Sequence, residues 1–94
     1  MEESSRRMLK DKMLACLYRD SGGPLSGYSD MIEIGLELNC DDETSRELAM
    51  SLFGDGLIQF LDGWTFDAML TEAGKKHLDE IKEIIAKIID NEIL

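Results

Sequence analysis

Five acids, Asp41, Asp42, Glu43, Glu47 and Asp62, are the residues of this chain with the most to offer a partner. Carboxylates at this density repel a phosphate backbone and attract a cationic surface. Arg46 stands among them, and an arginine side chain can read guanine in the major groove. Asp42 lies four residues before it, where the two would pair locally on a helix. Thr44 and Ser45 bring hydroxyls that could reach phosphates or bases. The same residue types also serve as ordinary caps of a first helical turn. Arg6, Arg7, Lys10 and Lys12 form the densest basic cluster. It suits a DNA backbone, the acids of a second subunit, or simply solvent.

The inventory for catalysis is short. His77 is the single histidine and has no nucleophile-and-acid set beside it in the sequence. The paired acids Asp41/Asp42 and Glu72/Asp79/Glu80 lack metal-ligand spacing. Gly22-Gly23 and Gly54-Asp55-Gly56 read as helix stops rather than a phosphate loop. No catalytic residue, metal or cofactor is expected, and the protein is expected not to be an enzyme. Cys16 and Cys40 are too few for a disulfide scaffold and read as reduced thiols. A bridge between them stays open, because sequence does not give their separation.

The chain has 94 residues, enough for one small domain over 1–94. Aromatics make up 6%, so aliphatic residues and six methionines must fill the core. The net charge is −10 and unevenly spread. Residues 20–74 carry twelve acids and one base, Arg46, whereas residues 1–19 are net +2. The N-terminus has no apolar leader, and no run is long enough to span a bilayer. A soluble cytoplasmic protein is expected.

Helical spacing places a first helix over about 5–20, with Leu9, Met13, Cys16 and Leu17 on one stripe. Ser21-Gly-Gly-Pro24 ends it. A second helix starts near Ser26 or Ser29 and runs to about Leu38, burying Met31, Ile34, Leu38 and, on its flank, Leu36. Gly35 in its interior weakens it by about 1 kcal/mol relative to Ala, which points to close packing against a neighbouring helix. A third helix follows the Asn39-Cys40-Asp41-Asp42 turn to about Phe53, with Leu48, Leu52, Ala49 and Phe53 inward.

Strands are expected at about 57–61 and 64–70, joined by Asp62-Gly63 as a two-residue type I′ turn. That register opposes Leu61 to Trp64, Gln59 to Phe66 and Leu57 to Ala68. It turns Leu57, Trp64, Phe66 and Leu70 inward and Ile58, Phe60 and Met69 outward. Thr71 then caps a last helix over about 71–92. The expected core is Leu9, Met13, Leu17, Ile34, Leu38, Leu48, Leu52, Leu57, Trp64, Phe66, Leu70 and Leu78, with an exposed anchor for a partner as the alternative place of Trp64. Ile84, Ile89, Ile93 and Leu94 are left over as a candidate dimer interface.

These elements make a mostly α chain with a small hairpin. Residues 42–78 resemble winged-helix transcription regulators of the MarR and PadR kind. The likeness rests on Leu48-Ala-Met-Ser-Leu52, on Gly56-Leu57-Ile58, and on Leu70-Thr71-Glu72-Ala73-Gly74 followed by Leu78. It implies a winged helix-turn-helix whose third helix and wing meet DNA. Thr44, Ser45, Arg46, Arg6 and Arg7 are then the candidate DNA contacts. It also implies dimerisation through terminal helices. The acidic middle segment departs from the family's cationic reading face. The expected task is therefore a regulatory protein–protein interaction module, a DNA mimic toward a basic partner, with Asp41, Asp42, Glu43, Glu47 and Asp62 as its face. A DNA-binding regulator and a structural homodimer subunit are the alternatives.

Overall fold

The computed structural model describes the backbone of residues 3–93 and the side chains of residues 5–82. Four helices and three strands follow one another as α1 (Glu3–Ser21), β1 (Ser29–Asp30), α2 (Met31–Glu37), α3 (Asp42–Gly54), β2 (Ile58–Phe60), β3 (Asp67–Leu70) and α4 (Glu72–Ile93). The strands form one antiparallel sheet in the order β1-β3-β2. The chain is thus mostly helical with a small three-stranded sheet.

Helix α1 buries Met13, Leu14 and Leu17 completely, with Leu9 and Cys16 packed against them. Leu14 lies outside the expected stripe and widens it. Gly22 ends the helix in the left-handed region (φ +81°), its N–H donating to Tyr18 O at 2.9 Å.

Strand β1 is a correction to the sequence reading, which started a helix near Ser26 or Ser29. Ser29 and Asp30 pair with Ala68 and Asp67, and the helix opens only at Met31. Two hydrogen bonds set that boundary. Asp30 Oδ1 accepts from Ile32 N at 2.9 Å, and Met31 N donates to Phe66 O at 3.0 Å. Leu36 is a second correction, because it is 54% exposed.

The expected close approach at Gly35 is present, and its neighbour is Ser45 of α3. A Cβ on Gly35 would lie 1.9 Å from Ser45 Oγ and 2.5 Å from Ser45 Cβ. Ser45 is fully buried, and its hydroxyl donates to Asp41 O at 2.7 Å. Leu48, Ala49 and Leu52 carry the inner face of α3 into the core, whereas Phe53, expected inward, is 46% exposed because its ring lies against Phe60 on the outer side.

The hairpin differs from the expected one in turn and in register. Ile58 opposes Leu70, Gln59 opposes Met69 and Phe60 opposes Ala68. Leu61 N donates to Asp67 O at 2.9 Å, so residues 62–66 form the loop. Neither Asp62 nor Gly63 has the positive φ that a type I′ turn needs. Asp62 instead bends the loop with its side chain, accepting from Trp64 N and Thr65 N at 2.9 Å each. Leu61 now faces Asp67 instead of Trp64, a shift of three residues, and an odd shift exchanges the faces. Strand β2 is therefore turned over, which buries Ile58 beside Ala68 and Leu70, while Phe66 is only partly buried and Trp64, now in the loop, is 92% exposed. The expected core place of Trp64 is overturned.

Thr71 caps α4 as expected, accepting from Gly74 N at 3.0 Å while its hydroxyl donates to Gly56 O at 2.8 Å. A Cβ on Gly74 would lie 2.3 Å from Leu57 O and 2.6 Å from Leu70 Cδ1. The Thr71–Gly74 pair therefore seats the start of α4 on the α3–β2 junction and on β3. Leu78 packs against the core. The expected dimer residues Ile84, Ile89, Ile93 and Leu94 lie outside the described side chains.

Candidate functional site

Two successive turns of α3 turn Asp42, Glu43, Arg46 and Glu47 to solvent. Asp41, just before the helix, is exposed and caps it by accepting from Thr44 N at 2.7 Å. Hydrogen bonds from Thr44 hold the Asp41 carboxyl below the ordinary aspartate range. Further along the same stripe, at helical i, i+4 and i+7 from Arg46, stand Met50 and Phe53, 52% and 46% exposed. The outward side of α3 is thus acidic at its start and apolar at its end.

An aromatic run carries that apolar end onto the sheet. The ring centroids of Phe53 and Phe60 are 5.0 Å apart, and Phe60 meets Phe66 edge-on at 5.5 Å. Arg46 closes the run, its guanidinium 5.4 Å from the Phe66 centroid and its Nε paired with Asp42. Through Phe66 the 62–66 loop stands beside the acidic turns of α3. The amides of Trp64 and Thr65 hold the Asp62 carboxyl below its ordinary range. Its negative charge is thereby fixed at the loop.

The predicted DNA contacts are dispersed. Ser45 is buried and offers no hydroxyl to a ligand. Thr44 is half-buried at the helix start. Arg46 is engaged by Asp42 and Phe66. Arg6 reaches Glu47 at 3.8 Å, and Lys10 reaches Asp55 at 2.6 Å, so both α1 bases turn toward acids on or just after α3. Arg7 points elsewhere and lines a groove between α1 and α4.

That groove encloses about 700 Å³. Met8, Ala15, Tyr18, Leu78 and Ile81 supply its apolar wall, with Arg7, Lys12, Lys75 and Lys82 around it. Lys75 pairs with Asp79 at 2.5 Å, which raises its pKa, and lies 5.5 Å over the Tyr18 ring. His77 Nε2 stands 3.0 Å from Asp11 Oδ1 and ties the two helices together. Burial pushes the Cys16 thiol up, and both cysteines are free.

Sequence reasoning missed the Phe53–Phe60–Phe66 run and the α1–α4 groove, and it placed Trp64 in the core in preference to an exposed anchor. The spacing of Arg46, Met50 and Phe53 was the available signal for an outward apolar stripe. The Asp62 side chain, two residues before Trp64, was the signal for a side-chain-bent loop.

Among the described residues, no three His, Cys, Asp or Glu side chains stand close enough to hold a metal. No described helix is long and apolar enough to cross a membrane. The chain matches no protein-family model, no curated protein and no solved structure.

Proposed function

We propose that this protein is a small acidic winged helix acting as a non-enzymatic interaction module toward a basic protein partner. Its α3-and-loop face would take the place that DNA takes on that partner. The order helix, strand, two helices, hairpin, helix supports the winged-helix part of this reading. So does the seating of α4 by Thr71 and Gly74. One observation carries the function. Arg46, the single base among residues 20–74, is held by Asp42 and Phe66, leaving Asp41, Glu43 and Asp62 to set the field. DNA affinity rests largely on cations that displace counterions, and this face presents the opposite sign.

The test is a pair of titrations at about 150 mM salt, where specific DNA-binding proteins typically hold their sites. Random and defined DNA duplexes are expected to bind no tighter than about 100 μM, the weak end of non-specific binding. A short oligolysine peptide is expected to bind, to weaken with added salt, and to lose most of its affinity when Asp41→Asn, Glu43→Gln and Asp62→Asn are combined. Nanomolar binding to a defined duplex would overturn the proposal in favour of a DNA-binding regulator.

A homodimer through α4 belongs to the same proposal. The α1–α4 groove is the observation that favours it, since its apolar wall opens beside the helix whose sequence continues in Ile84, Ile85, Ile88 and Ile89.

A further inference from the structure

Trp64 is the only tryptophan in the chain and is 92% exposed. Tryptophan is among the largest contributors of buried area to cores and interfaces. Here the core is assembled without it, from Ile58, Ala68, Leu70 and the helices. Its backbone is nevertheless held firmly. Asp62 Oδ1 accepts from Trp64 N, Thr65 N and Thr65 Oγ1, and Leu61 N to Asp67 O closes the loop behind them. An aromatic side chain on an ordered loop loses little further freedom when a partner covers it.

The charge around Trp64 selects the partner. Asp62 is two residues away, and Phe66, two residues on, abuts Arg46 and with it the acidic turns of α3. A phosphate backbone or an anionic lipid surface is repelled there. A purely apolar surface would strip water from the carboxylates without pairing them. A cation satisfies both, because tryptophan is the best cation–π platform and the carboxylates pair with the same charge. The molecule already contains one such arrangement, with Arg46 laid over Phe66 and bonded to Asp42. Arginine suits it better than lysine, since its planar guanidinium can stack on a ring and bond a carboxylate at once.

We infer that Trp64 and Asp62 form a docking point for an arginine side chain of a protein partner. This rests on the reading of the acidic face as an interaction surface and names the residue type that surface recognises.

The experiment uses the whole chain and two peptides of equal length, oligoarginine and oligolysine, followed by calorimetry and by emission of the single tryptophan. Oligoarginine is expected to bind about two- to fivefold tighter than oligolysine, as an exposed cation–π contact provides. Its binding should change the Trp64 emission with the calorimetric midpoint. Trp64→Ala should lower oligoarginine affinity to about that of oligolysine and so remove the arginine preference, and Trp64→Phe should retain part of it. Equal wild-type affinities, or an arginine preference that survives Trp64→Ala, would overturn the arginine site and leave the acidic face standing. Failure of both peptides to bind would overturn both. A blue shift on anionic vesicles of phosphatidylcholine and phosphatidylglycerol would replace the protein partner with a lipid surface.

Discussion

Gly35 and Asp62 show how much single residues decide here. An alanine at 35 would improve helix propensity by about 1 kcal/mol. Its Cβ, however, would sit 1.9 Å from Ser45 Oγ and 2.5 Å from Ser45 Cβ, and overpacking of this kind typically costs about 1–3 kcal/mol. Gly35→Ala is therefore expected to lower the urea midpoint. Ser45→Gly in the same chain should recover part of the loss, because it removes both clashing atoms. An unchanged midpoint in Gly35→Ala would mean that α2 and α3 separate at no cost. Asp62 gives a pH signature. Its folded carboxyl lies below its unfolded value, because the Trp64 and Thr65 amides bond the ionised form. The loop's stabilisation is present above the ordinary aspartate pKa of about 3.9 and is lost as pH falls through the lower folded value. The Trp64 and Thr65 amide resonances should titrate together below about pH 3.9 and cease to do so in Asp62→Asn. A midpoint above that value would refute the bond. Gly35 was legible in the sequence because a mid-helix glycine has few reasons to exist. Ser45 was not, since only the crossing of two helices buries it.

At the scale of elements, the helices were readable because several turns repeat the same apolar spacing. The sheet was not. β1 has two residues and no alternation to detect, and both hairpin strands carry apolar residues on each face. The turn decided the register, and a carboxylate bonded to two amides outweighed the Asp-Gly preference for a tight turn. This has a measurable consequence. Ile58 is buried and Trp64 is not, so Ile58→Ala should destabilise by about 2–5 kcal/mol, while Trp64→Ala should stay within about 0.5 kcal/mol of wild type. The register read from the sequence alone reverses this order. Denaturant unfolding of the two variants therefore distinguishes the two hairpins. The same displacement explains why the site was only half legible. The acids of α3 could be counted from the sequence, but the choice between a core place and an exposed place for Trp64 was decided only by the longer loop.

At the scale of the whole molecule, the acidic face and the basic groove are separate surfaces, each with apolar side chains of its own. The α3-and-loop face is acidic, while the α1–α4 groove carries four bases against Asp11 and Asp79. Residues 83–94 carry three acids and one base together with six Ile and Leu. That composition complements the groove in both charge and polarity. A second copy is the occupant this pairing favours, each chain offering its groove to the other's C-terminal segment. Reciprocal contacts of that kind are what a two-fold dimer requires. Helix α4 has the length for it, about 33 Å over its 22 residues. Sedimentation at micromolar concentration is expected to give a dimer that weakens at high salt, since salt screens attraction between opposite charges at a surface. Ile89→Lys with Ile93→Lys should yield a monomer by placing two cations against a cationic rim. Met8→Glu should weaken the dimer from the opposite side of the contact. A monomeric wild type, or a dimer indifferent to all three changes, would assign the groove to something other than a second copy.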